Sequence, residues 1–256
     1  MTVLDVGQGD AIYLEFPGGG SLLMDAGRGE GFDQARRSVV PFLKYKGVRE
    51  LDAFVISHPQ SDHVGGLSAV LKETRVRNVV GPGKPYGSAL YRKLQREIAD
   101  ERSVSWVAER GARLTGFEGV SIDVLNPDPG PEGSKNINQD SVVLKITHGS
   151  TSFLLTGDIE GAAMRKILLS GADVRADVLK VPHHGAKLDE NGLRFVRAAA
   201  PAFSVISVGE NNPYRHPRPE TLEALAAVPG NRLFRTDRDG AVTIISDGRK
   251  ILYSPS

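Results

Sequence analysis

Three short apolar runs in this chain each stop on residues able to hold a metal ion, and this repetition restricts its fold more than any other feature. Leu51–Ser57 leads into His58-Pro59-Gln60-Ser61-Asp62-His63, Phe153–Thr156 into Gly157-Asp158, and Leu179–Val181 into Pro182-His183-His184. Runs of this length without polar alternation are the pattern of strands covered on both faces. A chain with several such strands must place a second layer on each side of its sheets. Ligands in such architectures gather at strand ends, where these polar residues fall.

The remaining pattern agrees in kind. Thr2–Val6, Ala11–Phe16 and Ser21–Asp25 read as strands, the last two joined by a turn at Gly18–Gly20. Helices are expected from about Gly31 to Lys46, over Gly66–Thr74 and over Ser88–Glu101, with a strand at Val76–Val80. Short strands follow as far as Leu125, and the Pro-, Gly- and Asn-rich stretch Asn126–Asn138 reads as a long loop rather than a linker. A hairpin of Val142–Thr147 and Thr151–Thr156 comes next. The strands Val178–Val181 and Ala202–Val208, each set between helices, precede a last helix and two final strands. Two βα-rich halves predict an α/β protein, a single domain over residues 1–256, with two sheets face to face and helices outside.

The ligand chemistry is narrowed by composition. The chain has no cysteine, so a metal must be held by imidazole, carboxylate and neutral oxygen. A tight loop spaced as His58, Asp62 and His63 turns its side chains around one or two cations, and that donor set suits Zn²⁺ or Mn²⁺. Asp158 ends a strand where Gly157 permits close backbone approach. Adjacent histidines on an extended chain point to opposite sides, so one of His183 and His184 is expected to ligate and the other to support a ligand from behind or to contact substrate. The net charge is only +1, which leaves nucleic-acid binding to a local patch if it occurs. No apolar run approaches the roughly 18 residues of a membrane span, so the chain as given reads as soluble.

Other positions carry weaker signals. Asp10, in Asp5-Val6-Gly7-Gln8-Gly9-Asp10, and Asp25, which ends an apolar strand, are each placed to orient a ligating histidine from behind. A plain strand-turn-strand corner accounts for either equally well. His216 lies in the loop Asn212-Pro213-Tyr214-Arg215-His216-Pro217 and reads as a general acid or as a surface histidine. His148 sits in a hairpin turn and is expected to face solvent.

Taken in order, LDVGQGDA at Leu4–Ala11, the strand into Asp25-Ala26-Gly27, SHPQSDHVGG at Ser57–Gly66, Asn138–Ser141, LLTGD at Leu154–Asp158, VPHHG at Val181–Gly185, Arg215-His216-Pro217 and RTDRDGAV at Arg235–Val242 resemble the hydrolase domain of the ComEC competence proteins. That domain is of the metallo-β-lactamase superfamily. The resemblance implies a four-layer αββα sandwich with metals at one edge between the sheets. It implies that His58 ligates a first metal, that Asp62 and His63 ligate a second, that Asp158 bridges them, and that His184 completes the second site. Asp10 and Asp25 match motifs that line or support it. Two departures stand out. Gln60 occupies a position where the wider superfamily has histidine and ComEC-like domains often have Asp, and Asn138 and Ser141 stand where many relatives supply another histidine. The first site is thus short of strong ligands, and the harder Mn²⁺ is favoured over Zn²⁺.

The resemblance further implies a metal-dependent phosphodiesterase, a nuclease acting on DNA (single-stranded favoured) during natural transformation, with metal-activated hydroxide attacking phosphorus. Asp62 is expected to orient the water, and His216 or His183 to protonate the leaving group. Arg75, Arg77, Lys84, Arg92, Lys93 and Arg96, with Lys187 after the paired histidines, read as a phosphate track or as a solvated face. Tyr86, Tyr91 and Tyr214 are candidates for stacking on bases. The expected partners are DNA and the membrane channel portion of the same parent protein, with no obligate oligomer. Full ComEC proteins carry membrane helices before this point, so an excised domain is expected, with a free-standing relative as the alternative; an excised domain would lie on the outer side of the bacterial cytoplasmic membrane. A small-molecule phosphodiesterase or esterase of the same fold, and a catalytically weak DNA-binding module, are the alternatives.

Overall fold

Alternation within the apolar runs decides the layering. In the computed structural model, which describes residues 1–29 and 33–255, Ala53 and Val55 point into one core while Phe54 and Ile56 point into another. Phe153 and Leu155 share the first of these cores, and Leu154 faces a third. Both runs are therefore covered on two sides.

Fifteen strands among the described residues make two sheets. The first contains β1 (Thr2–Val3), β2 (Ile12–Glu15), β3 (Ser21–Met24), β4 (Glu50–Val55), β5 (Arg75–Gly81) and β6 (Val104–Val107). The second contains β7 (Arg113–Leu114), β8 (Ser121–Asn126), β9 (Val143–His148), β10 (Thr151–Leu155), β11 (Val178–Lys180), β12 (Phe203–Ile206) and β13 (Arg232–Arg235). The chain then returns to the first sheet with β14 (Val242–Ser246) and β15 (Ile251–Pro255), giving the order β15-β14-β1-β2-β3-β4-β5-β6. The second sheet runs β13-β12-β11-β10-β9-β8-β7. Three strands, not two, thus close the chain. The third is β13, which lies parallel to β12.

Helices cover the outer faces. A wide turn at Ala35–Val39 runs into α1 (Val40–Tyr45), and α3 (Leu67–Glu73) and α4 (Ala89–Asp100) pack beside it on the first sheet. The expected helix start at Gly31 lies outside the described residues. α4 shows why such a segment is helical: Ser88 Oγ accepts from Tyr91 N at 3.1 Å, and Tyr91, Leu94 and Ile98 recur at helical spacing on the buried side. α5 (Gly161–Leu169), α6 (Glu190–Ala199) and α7 (Pro219–Ala226) cover the second sheet. The result is the αββα sandwich. No helix among the described residues is long and apolar enough to cross a membrane.

Strands β3 to β6 are mutually parallel, as are β10 to β13. Their carboxyl ends bring Asp25, His58, Asp158 and His184 to one rim. Val142 N donates to Ser57 O at 2.8 Å, and Ser207 Oγ donates to Gly9 O at 2.7 Å, so the two halves are stitched together at that rim.

Candidate metal centre

Each histidine of the cluster is held by its Nδ1, which leaves Nε2 facing inward. His184 Nδ1 donates to Ser207 O at 2.8 Å, and His63 Nδ1 donates to Asp25 Oδ2 at 2.8 Å. His58 Nδ1 lies 3.0 Å from Ser57 Oγ, whose own proton goes to Asp25 Oδ2 at 2.5 Å, so the imidazole is the donor in that pair. Asp25 therefore orients two rings, one directly and one through Ser57. It does so from a left-handed backbone (φ 61) that a non-glycine residue rarely adopts.

Asp158 sits among these nitrogens. Its Oδ2 is 3.2 Å from His63 Nε2 and 3.3 Å from His184 Nε2, while Oδ1 has no partner. His58 Nε2 and His184 Nε2 are likewise buried without a hydrogen bond. Asp62, more accessible, places Oδ2 3.9 Å from His184 Nε2. His58, His63 and Asp158 offer atoms within ligand distance of a common point, as do Asp62, His63 and His184. His58 Nε2 and Asp158 Oδ1, buried without a hydrogen bond, are costly unless a cation uses them. The residues present fit a divalent metal.

Local backbone explains the convergence. Asp62 and His63 lie on a single helical turn, α2 (Ser61–Val64), and not in an irregular loop. Gly9 packs so closely on Asp62 that a Cβ would strike its carbonyl oxygen. At Gly157 (φ +50) a Cβ would meet Ser141 and Ser57, so only glycine lets β10 end against both loops. The paired histidines depart from the extended geometry expected of them: both are left-handed (φ 49 and φ 53) in a tight turn at Pro182–Gly185. They still separate. His184 enters the cluster, while His183, 27% exposed, sits at its edge with Nε2 3.9 Å from Asp158 Oδ2 and Nδ1 3.3 Å from Glu160 Oε1.

Charge sets the protonation of the metal-free site. Burial disfavours the charged form of His63, but Asp158 and Asp25 outweigh it and hold the imidazolium well above its ordinary range. His184 is raised in the same way by Asp158 and Asp10 against burial. Burial would raise the Asp158 carboxyl, but His184 and His63 overcome this and hold it well down. His58 goes the other way, pushed down to about 3 by burial and by His63. His216 is lowered to about 4, first by burial and then by His183, His184 and Arg218.

The remaining candidates are placed as follows. Gln60 Nε2 donates to Asn138 Oδ1 at 2.8 Å, and Asn138 Nδ2 donates to Glu160 Oε1 at 3.1 Å, so the two amides are tied to each other. Ser141 Oγ accepts from Asp158 N at 3.1 Å. Asp10 lies behind His184, with Oδ1 3.5 Å from Nδ1. Lys187 is surface-exposed and pairs with Glu220 at 3.0 Å. His216 meets His183 at 5.7 Å between ring centroids. His148 is half-buried and bonds Ser246 Oγ at 2.9 Å, not free in solvent.

The basic cluster does not hold together as a phosphate track. Arg75 and Arg77 pair with Glu50, and Arg77 also with Asp52, at the amino ends of β4 and β5. Eight residues of nearly extended chain separate Glu50 from His58, roughly 25 Å at ~3.3 Å each. Lys84 is buried, and its Nζ donates to Asp128 O at 2.8 Å and to Gly130 O at 2.5 Å. Tyr86 directs its hydroxyl to Asp140, and Tyr91 is core. A hollow of about 720 Å³ lies by Arg75 and Arg77, larger than the cleft of about 410 Å³ lined by His183, Glu160 and Lys187. Only the smaller one adjoins the histidines.

Three residues at the site were not singled out by the sequence pattern. Glu160 gathers Asn136, Asn138, Gln139 and His183, and its place two residues past Asp158 was the available signal. Lys180 is fully buried, with Nζ 2.5 Å from Asp10 Oδ2 though without the alignment of a hydrogen bond. A charged residue inside an apolar strand marked it. Ser207 announced itself by nothing beyond ending a strand.

Comparison with known proteins agrees with this geometry. The sequence model of the metallo-β-lactamase superfamily matches residues 4–193. The chain is 30% identical over 255 residues to ComE operon protein 3 of Bacillus subtilis, covering 94% of this chain and 32% of that one. It is 32% identical over 245 residues to competence protein ComA of Neisseria gonorrhoeae, covering 94% and 31%. The chain thus spans about a third of the length of these relatives. Among solved structures, the metallo-β-lactamase fold protein YhfI of Bacillus subtilis superimposes with a TM-score of 0.56 at 14% identity, covering 91% of this chain and 95% of that one. The histidine and carboxylate cluster at the sheet rim and the family match over residues 4–193 together identify the chain as a member of the metallo-β-lactamase superfamily of metal-dependent hydrolases, related to the ComEC competence proteins.

Proposed function

We propose that the chain is a metal-dependent phosphodiesterase that cleaves DNA, with single strands favoured, as the nuclease part of a DNA-uptake protein. The observation that carries the hydrolase reading is the gathering of His58 Nε2, His184 Nε2 and Asp158 Oδ1 at one rim, all buried and none in a hydrogen bond. The DNA part rests on the competence relatives. In this reading the whole protein would present the domain on the outer side of the cytoplasmic membrane, beside its own channel portion.

His58 and Asp158 would hold a first ion, and Asp62, His63, His184 and Asp158 a second. The first set has one imidazole and amide oxygens as its neighbours, which suits Mn²⁺ better than Zn²⁺. Bound divalent ions supply an activated water and a Lewis acid for the phosphoryl oxygens. The chain's own groups do the rest. Asp62, half-open to solvent, accepts a hydrogen bond from the attacking water and aims it. His183, held by Glu160 and partly exposed, gives its proton to the departing oxygen. His216 is neutral near pH 7 and serves as a hydrogen-bond partner to the substrate.

The test is cleavage of a 5′-labelled single strand, its duplex and a chromogenic phosphodiester in EDTA, Mg²⁺, Mn²⁺ or Zn²⁺, with Asp62→Ala beside the parent. Metal-dependent loss of the strand, absent in the variant, is expected. Turnover of the chromogenic ester alone would replace the nuclease with a small-molecule phosphodiesterase. Bound metal without turnover would leave a DNA-binding module.

A further inference from the structure

We propose that Tyr214, with Arg215 and Arg218 on the same loop, forms a platform that seats one unpaired base of a single strand beside the metal centre. The inference rests on the nuclease reading and adds to it the residues that select single strands.

The loop is built to hold its shape. Asn212 Nδ2 donates to Gly209 O at 2.9 Å and to His216 O at 2.7 Å, and His216 N donates back to Asn212 Oδ1 at 2.9 Å. Arg218 N donates to Gly185 O at 2.8 Å, which fastens the loop to the turn carrying His183 and His184. On this support the Tyr214 ring lies over His216, 5.8 Å between centroids and 30° between planes. His216 in turn meets His183, so an unbroken line of rings runs from the metal cluster to Tyr214.

Tyr214 ends that line 54% exposed. An aromatic ring stacked on a rigid neighbour and otherwise left in water is a surface for another flat ring. The cations support it: neither Arg215 nor Arg218 is ion-paired among the described residues, whereas Arg75, Arg77 and Lys187 all are. Arg215 is exposed and Arg218 half-buried, both within a few residues of the ring. An exposed aromatic ring on the same loop as uncommitted guanidinium groups can take a base and its phosphates. A paired base is stacked above and below and must leave the helix to reach such a face, so the platform favours single strands.

The test is fluorescence anisotropy of a labelled, non-hydrolysable phosphorothioate oligothymidylate in Mn²⁺, at several salt concentrations, against a duplex of equal length. Tyr214→Ala should weaken strand binding roughly tenfold, within the range that losing one stacked base gives, while Tyr214→Trp restores it to within about twofold. Arg215→Ala should lower the salt slope by about 0.7, the share of one phosphate contact on a single strand. Tyr45→Ala, a tyrosine 87% exposed on α1 away from the rim, should change nothing. Tyr214→Ala binding the strand as tightly as the parent, or losing strand and duplex equally, would overturn the platform. Should the parent bind this probe but never cleave an ordinary phosphodiester strand of the same sequence, the nuclease reading falls while the anisotropy comparison still decides the role of Tyr214. A parent that binds no strand at all would end both.

Discussion

The two sides of Asp158 are built from the same residue type under opposite electrostatics. His63 and His184 each stand between carboxylates, and their imidazolium forms are favoured despite complete burial. His58 is pushed down to about 3 by burial and by the neighbouring His63, which outweigh the single carboxylate near it, Asp158. The difference teaches that burial alone fixes neither protonation nor metal affinity; the carboxylates behind each ring do. A metal must displace a proton from His63, so its binding should release protons and strengthen as pH rises. The His58 side releases none, and Asp158 is the one carboxylate in its group. One stronger and one weaker position are expected.

The comparison breaks most completely at the shared residue. Asp158→Ala removes the carboxylate proposed to serve both sides, and we expect metal retention and turnover to fall together by more than about a thousandfold, measured by metal analysis and strand cleavage. Retained metal on both sides would deny Asp158 its bridging place.

The metal-free chain gives the next largest effect. His58 is depressed in the fold, so the stability it contributes is present above its unfolded value of about 6.5 and is lost as pH falls towards 3. His63 is raised, so its contribution is complete below about 6.5 and is lost as pH climbs through its folded value. Denaturant titration in EDTA from pH 4 to 8 should show His58→Gln losing part of the acid sensitivity, amounting to several kcal/mol at most, and His63→Gln losing the alkaline part. Identical profiles for the two variants would erase the asymmetry.

Smaller changes sharpen it. Asp25→Asn should weaken metal binding about 10- to 100-fold, because Asp25 orients His63 directly and His58 through Ser57. Gln60→His should strengthen the weaker position roughly tenfold and make the two sides more alike, read as a second equivalent retained after gel filtration. Arg75→Ala should leave strand cleavage within about twofold, since its partner is Glu50 at the far end of β4. A large loss there would mean that the strand crosses the whole sheet.

Much of this was legible in the sequence because the informative residues break a rule. His58 and Asp158 interrupt apolar runs, and the alternation of Ala53, Phe54, Val55 and Ile56 between two cores is what an unbroken hydrophobic strand must do. The αββα layering followed from it. Less legible were features set by contacts distant in sequence. The left-handed turn at His183 and His184 depends on packing between Gly185 and Pro217, which no local propensity encodes. Arg75 and Arg77 looked like a basic patch because Glu50 and Asp52 are far away in sequence but adjacent across the β4–β5 pair. Glu160 and Lys180 were visible as residue types, but their roles depend on partners from other strands.

The account is tested most directly by titrating Mn²⁺ into the metal-free chain while following both heat and cleavage of a labelled single strand. It predicts two unequal binding steps, the tighter one releasing protons in proportion to buffer ionisation heat, with cleavage absent in EDTA and in Asp158→Ala. Two equal steps without proton release, or cleavage that persists in EDTA, would contradict it.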